Sequence, residues 1–411
     1  MLDFGSMVAP GDLPLPVGIA TESGRRTRPV GELRAHLSAY LQDYGITRVA
    51  HLTGFDYVGL NVHMAVKPQG RSLSSGSGKG PTPDASWVSA VMECCEQAVW
   101  ESLDVDSVHA SRSVMQKLGV TVADGFQLPK AKGAIWHDDL PIDWTPGWDI
   151  VAGEEVWVPS SIVTVHDPQD RGHLRPFVSG SNGLASGAHV LEAVLSGLQE
   201  AIERDGLVLR TAVDPAPYIN GLELLQATAP SVAERIVRSG LILEAVDCTT
   251  DVGVPIAAAY LMEPEGGTTG SFKWMGAGPC MATAFTRAVT EAAQSRCLIV
   301  AGARDDMFET ARSAAVSLTA KSRKPVFGEL AAGIDHSTDS VLGDIEWMVS
   351  MLAAAGFKQV IVIRHTLPGD PVQVVRVIVP GLEGYPFAFA GRGQRASTWT
   401  AASHLDRVIS S

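Results

Sequence analysis

The sequence predicts a mixed α+β fold. Apolar residues recur at helical spacing in some stretches and alternate at strand spacing in others. The order of the two kinds mixes hairpins with crossovers. A glycine-rich segment leading into a helix that carries acids also occurs three times. Length alone would fit two or three domains. Because no stretch reads as a long linker, one domain is expected over residues 25–411, behind a Pro- and Gly-rich irregular segment, residues 1–24.

Taking the elements in order, Leu33, Leu37 and Leu41 share one face of a helix expected over residues 31–43. Residues 46–66 alternate like two strands. The first repeated element is SGSGKG, residues 75–80, read as a loop that opens a helix over 83–100. Thr82 suits its N-cap, Pro83 its first helical position, and Asp84 the positive end of its dipole. Residues 149–166 read as a strand region, and 166–176 as a polar turn-rich stretch. The second element is the loop Ser179–Gly183 with Ser186 and Gly187, before a helix over 188–204. The third is the loop Gly276–Gly278, before a helix over 281–298. A helix over 339–355 and strands over 359–363 and 372–379 follow.

The first two helices each contain Glu-x-x-Glu. Glu93 and Glu96 share a face beside the apolar stripe of their helix, where a cation such as Mg²⁺ would relieve their repulsion. By itself this is also the pattern of a solvated acidic face. On the second helix, Glu192 and Glu203 are eleven residues apart and project within about 20° of each other. Glu200 lies one turn from Glu203, and Arg204 follows at once. Acids that hold Mg²⁺ next to an arginine that stabilises phosphoryl charge make a metal–phosphate arrangement. The plain alternative is a Glu–Arg surface pair, worth about 0.3–0.5 kcal/mol. The third helix carries Arg287, Glu291 and Gln294 along one face, with Arg296 nearby; alone, this reads as a surface salt bridge. The loops before the helices could offer backbone N–H groups to a phosphate.

Lys79 is not a P-loop lysine, because Gly80 and Pro81 follow it. GxGxxG after a strand, HExxH and the GxSxG elbow are not evident. The scattered histidines His63, His137, His166, His173, His189 and His365 read as structural, since their spacing says nothing. The five cysteines show no CxxC or Cys/His ligand spacing, so neither a disulfide framework nor a zinc site is expected. Cys94 and Cys95 fall inside a helix as packing residues. A net charge of −13 argues against nucleic-acid binding. The N-terminus lacks the basic start of a secretory signal, and no apolar run approaches the roughly 20 residues of a membrane span. The protein is therefore expected to be cytoplasmic.

Together the three repeated segments resemble the YcaO family. SGKGPTPDASWVSAVMECCEQ, SNGLASGAHVLEAVLSGLQEAIERD and RAVTEAAQSR are similar to that family's three motifs, in the same order. The upstream GITRVAHLTGFDYVGL and the later VRVIVPGLE are similar as well. The resemblance implies one catalytic domain with pseudo-repeated loop–helix elements around an ATP site that is not a P-loop. It places Glu93, Glu96, Glu200 and Glu203 as Mg²⁺ ligands and Arg204 on the phosphates. Lys79, Asn182, Glu192, Arg287 and Glu291 fall at further nucleotide-site positions, with Arg204, Arg287 and Glu291 the catalytic candidates. Arg25, Arg26 and Arg28 are candidates for the family's N-terminal basic contacts, with Arg28 taken as the nucleotide contact.

The chain departs from the family in two places. Gly187-Ala188 stands where the family has Gly-Asn, so a polar contact is lost or replaced by His189. The C-terminal WTAASHLDRVISS lacks a Pro-x-Pro repeat, and no fused leader-binding segment is seen.

The family chemistry is Mg²⁺–ATP-dependent activation of a backbone amide in a ribosomally made precursor peptide. The expected outcome is intramolecular cyclodehydration to a thiazoline or macroamidine, as in bottromycin-type pathways. Two alternatives are thioamide formation with a TfuA-type partner and a non-catalytic ATP-binding role in modifying a ribosomal protein. A homodimer is left open.

Overall fold

The structure, a computed structural model, describes residues 2–8, 18–21, 24–165, 174–211, 219–264, 270–303, 329–384 and 390–400. The turn-rich stretch expected at 166–176 falls mostly outside them, as do His166, His173 and the end of the C-terminal segment.

In chain order the strands are β1 (Ile19–Thr21), β2 (Gly24–Arg26), β3 (Arg48–His51), β4 (Asn61–Val66), β5 (Ser75–Gly80), β6 (Val108–Ser111), β7 (Pro141–Asp149), β8 (Glu154–Pro159), β9 (Leu184–Gly187), β10 (Ile242–Asp247), β11 (Ile256–Met262), β12 (Ser271–Ala277), β13 (Ile361–Arg364) and β14 (Gln373–Ile378). The helices are α1 (Val30–Ser38), α2 (Pro83–Glu101), α3 (Arg112–Lys117), α4 (Val190–Thr211), α5 (Leu222–Thr228), α6 (Pro230–Ser239), α7 (Met281–Val300) and α8 (Val341–Ala354). The mixed α+β class is as the sequence predicts. The segment expected to be irregular, 1–24, contains β1, which pairs antiparallel with β2 from Ile19 opposite Arg26.

The chain divides into two compact units, each built from separate stretches. One takes Met1–Val17, Glu96–Pro215 and Asp339–Ser411; the other takes Gly18–Cys95 and Ala216–Thr338. The expected span 25–411 is therefore interleaved, and the boundary at 95/96 falls inside α2.

The second unit holds two antiparallel three-stranded sheets, β3-β4-β5 and β10-β11-β12, each with a helix next in the chain. The apolar stripe of α7 packs on β11 and β12 and buries Ala284, Phe285, Ala288 and Ala292. Leu225, Val232 and Ile236 of α5 and α6 close this core. Pro230 opens α6, and Gly240 ends it in the left-handed conformation at φ 70°.

The first unit is organised on a six-stranded sheet in the order β6-β7-β13-β14-β9, with β8 pairing along β7. Its core gathers Trp136, Trp144, Phe177, Val156, Val158, Ile361 and Ile363. Helix α4 lies on β9 and β14, and α8 packs on α4. No helix among the described residues is long and apolar enough to cross a membrane.

Candidate active site

The three repeated elements are present, but their glycines mostly build strands, not phosphate-cradling loops. SGSGKG is the edge strand β5, Gly187 ends β9, and Gly276 lies in β12. In each case the strand glycine lies against the helix that follows. A Cβ at Gly78 would overlap the backbone of Ser86 and Ala90 in α2. One at Gly187 would sit 2.6 Å from the Ala193 amide nitrogen of α4, and one at Gly276 would be 2.9 Å from the Ala288 nitrogen of α7. The glycines let helix and strand backbones touch. The element is a strand–turn–helix unit, and its missing Cβ atoms serve packing. Thr82 caps α2 as expected, its Oγ1 accepting from the Ala85 amide at 3.2 Å.

Within the second unit, β5, α2 and α7 bring several predicted residues together. Lys79 of β5 forms an ion pair with Glu291 of α7. Three residues on, the Gln294 amide donates to Ser77 Oγ at 2.8 Å. The Ser77 backbone N–H in turn donates to Glu93 Oε2 of α2 at 3.0 Å. Arg287 lies half-buried one turn before Glu291. The predicted surface pairing on α7 is thus replaced by contacts from α7 to β5.

Arg296, on the same helix, is 1% exposed and donates to Asp56 and Glu263 at 3.2 and 3.0 Å. It is a buried structural ion cluster, stacked near the Tyr57 ring. Burial raises the Asp56 carboxyl, against the lowering effect of Arg296.

Within the first unit, α4 presents Glu192, Glu200, Glu203 and Arg204 on one continuous helix. Glu192 is buried, whereas Glu200, Glu203 and Arg204 are half-buried. Arg204 Nη2 lies 3.8 Å from Glu200 Oε1, and its buried Nε makes no hydrogen bond among the described residues. Asn182 stands in the turn before β9, with its Oδ1 buried and also lacking a hydrogen bond. Buried Arg376 of β14 donates to the Gly180 and Asn182 carbonyls at 2.6 and 3.0 Å and so fixes that turn. His189 caps α4, its Nδ1 accepting from the Leu191 amide at 3.1 Å. Beyond Arg204, Asp205 is held by Arg395, a contact the sequence did not signal.

Arg28 is exposed, and Arg25 donates to the Gly18 carbonyl at 3.1 Å. His63 donates to or accepts from Ser86 Oγ at 2.7 Å, and burial holds its pKa down to about 4. All five cysteines are buried, and none of them is in a disulfide.

A Mg²⁺-bound triphosphate needs a few carboxylate oxygens for the ion and fixed donors for the phosphates. Each unit carries residues of that kind. Glu93 in the second unit and Glu96, Glu200 and Glu203 in the first are half-buried oxygen donors on helices, and Arg204 Nε is a shielded donor with no hydrogen-bond partner among the described residues. Mg²⁺ uses one or two carboxylates with phosphates and waters instead of an all-protein cage. Among the described residues no three His, Cys, Asp or Glu side chains form such a cage.

Comparison with known proteins adds an independent line. The family model described as YcaO cyclodehydratase, ATP-ad Mg2+-binding, matches residues 77–383. A protein in the tfuA 3′ region of Rhizobium leguminosarum bv. trifolii is 32% identical over 395 residues, covering 89% of this chain and 90% of its own. The structure of YcaO from Methanopyrus kandleri bound with AMPPCP and Mg2+ is 25% identical, with a TM-score of 0.68 over 90% of this chain and 95% of that one. A heterocyclase in complex with substrate and cofactor shares the fold at 20% identity, with a TM-score of 0.71 over 93% of this chain and 57% of that one.

Proposed function

Because this chain belongs to the YcaO family, we propose that it uses Mg²⁺–ATP to activate a backbone amide of a peptide for attack by a nucleophile. The observation that carries this reading is Arg204, whose buried Nε has no hydrogen-bond partner among the described residues and which follows directly on the Glu200/Glu203 pair. When bound, Mg²⁺–ATP would supply its γ-phosphoryl group to the amide oxygen after the nucleophile adds to the carbonyl carbon, releasing ADP and letting that oxygen leave as phosphate. Glu93, Glu96, Glu200 and Glu203 are the carboxylates on offer to Mg²⁺, which takes one or two of them beside phosphate and water. Arg204 and Lys79 meet phosphate charge, and Asn182 and Glu192 hold the nucleotide. Arg287 and Glu291 orient the reacting end, with Arg28 as a further basic contact. These groups work by positioning and by charge neutralisation, which are large terms by themselves.

The substrate in this reading is a ribosomally made precursor peptide, and its own Cys, Ser, Thr or amine is the nucleophile. The product is then a thiazoline or a macroamidine. A second reading, thioamide formation with a TfuA-type partner, is favoured by one observation: the relative encoded in a tfuA 3′ region.

Mass spectrometry of a precursor peptide after incubation with the chain and Mg²⁺–ATP tests both. Loss of water means cyclodehydration, and replacement of O by S in the presence of sulfide and partner means thioamidation. A peptide of unchanged mass, with no ATP consumed, would sink the amide-activation reading.

A further inference from the structure

We propose that Ser77 and Gln294 are positioning residues that fix the Glu93 carboxylate for the metal; this rests on the reading of Glu93 as a Mg²⁺ ligand. Gln294 is 5% exposed on α7, and its Nε2 donates to Ser77 Oγ at 2.8 Å. A serine hydroxyl has one hydrogen, and accepting from Gln294 leaves that hydrogen for another acceptor. Glu93 Oε2 is that acceptor at 3.5 Å, and it also takes the Ser77 backbone N–H at 3.0 Å. Two donors from one residue thus converge on one carboxylate oxygen. The backbone one is charge-assisted and fixed by the strand.

The neighbouring residues explain why Ser77 is a firm support. Lys79, two residues along β5, pairs with Glu291, three residues before Gln294 on α7. The strand is therefore stitched to the helix at two successive points, and Ser77 cannot shift alone. On the other face, a Cβ at Gly76 would lie 2.5 Å from the Cys94 amide nitrogen. The bare glycine lets α2 approach until Glu93, the residue before Cys94, reaches the strand backbone. The chain from Gln294 through Ser77 to Glu93 spans 217 residues in sequence at its first contact. It gives a carboxylate the outer hydrogen bonds that metal ligands require. Loss of such outer partners commonly costs 10- to 100-fold in metal affinity.

Calorimetric binding of a non-hydrolysable ATP analogue to the full chain, across a Mg²⁺ series, tests the relay without turnover. Ser77→Ala and Gln294→Met each raise the half-saturating Mg²⁺ by about tenfold. Ser77→Thr, which keeps the hydroxyl, restores it. The double change is no worse than the larger single one, and Ser77→Ala adds nothing on top of Glu93→Gln. Thermal melts of each variant show that the chain is folded; a purely structural role would lower the melt and leave the Mg²⁺ midpoint in place. The inference falls alone if Glu93→Gln abolishes Mg²⁺-dependent binding while Ser77→Ala and Gln294→Met leave the midpoint within about twofold of the parent. If Glu93→Gln leaves Mg²⁺ dependence unchanged, the metal role of Glu93 and the relay fall together.

Discussion

Arg395 grips Asp205 with two donors, its Nε 2.9 Å from Oδ1 and its Nη2 2.9 Å from Oδ2. Asp205 is 1% exposed and follows Arg204 on α4. The Glu383 amide donates to the same carboxylate at 2.9 Å, and Glu383 Oε1 accepts from the Ala396 amide at 2.9 Å. Residues 390–400 are thereby clipped to the helix that carries Arg204. Arg395→Ala would strand a buried carboxylate and should cost about 3–5 kcal/mol. Urea unfolding of the two proteins at pH 7 measures it, and equal midpoints would show that the clip contributes nothing.

Arg204→Ala should fold like the parent and lose turnover by at least about 100-fold, because it removes charge stabilisation from phosphoryl transfer. Glu203→Gln should behave in the same way through loss of the ion. Each of the five cysteines, being buried and outside this machinery, should tolerate Cys→Ala with about 1 kcal/mol of stability lost and turnover retained. ATP consumption with a precursor peptide, set beside a thermal melt, separates the two groups. A dead but folded Cys→Ala variant with an active Arg204→Ala variant would reverse the assignment towards covalent catalysis.

Gly78→Ala should be among the most damaging small changes in the chain. The added methyl would meet the backbone of Ser86 and Ala90, which cannot swing aside as a flexible side chain could. A loss above about 3 kcal/mol, or failure to fold, is expected. Gly119→Ala is the control: nothing lies within 4 Å, and only its positive φ of 77° opposes the change. That strain should cost about 1 kcal/mol. Circular dichroism melts of the two variants give the comparison, and similar melts would contradict the packing account of the strand glycines.

His365 should weaken the fold in acid. Its two ring nitrogens are shielded and make no hydrogen bond among the described residues, although the residue as a whole is half-buried. Burial, and after it the charge of Arg376, holds its pKa down to about 3 from an ordinary 6.5. The unfolded chain therefore binds the proton more readily, so stability is complete above about pH 6.5 and falls as the pH drops towards 3. His365→Leu removes that loss, which at pH 5 amounts to about 2 kcal/mol at most. At pH 8 the variant should match or exceed the parent, since no hydrogen bond is lost. His63, also held low by burial, leaves part of the acid sensitivity in place. Urea midpoints at pH 8 and pH 5 decide the matter, and parallel losses in parent and variant would refute it.

Local signals were readable in the chain where the physics is local. Thr82, Pro83 and Asp84 mark the start of α2, and the apolar stripes locate α7 and α8 to within two residues at each end, while α4 begins two residues after the expected 188 and runs on to Thr211, seven residues past the expected 204. The acids of α2 and α4 could likewise be placed on their helices from spacing alone. Glycine misled, because its weak strand preference and its use in loops both point away from β5. Only the helix packed against Gly76 and Gly78 reveals why that strand needs them. The contacts Gln294–Ser77 and Arg395–Asp205 join residues 217 and 190 apart, and no periodicity carries such information. Arg296 looked like a helix-surface charge because Asp56 and Glu263, its partners, lie 240 and 33 residues away.

The sheet order of the first unit has a consequence for the protein's birth on the ribosome. Strand β9 pairs with β14, and β13 and β14 stand between β7 and β9. Helix α4 leaves the ribosome long before residues 361–378, which complete the surface it lies on. Until then its apolar side has only part of its floor, and the loop to be closed is long. The nascent chain must therefore carry Glu200, Glu203 and Arg204 on a partly supported helix until residues 361–378 have emerged. Competence to handle a nucleotide then waits on β13 and β14, so a chain cut before residue 361 carries the three helix motifs but lacks the strands that complete their sheet.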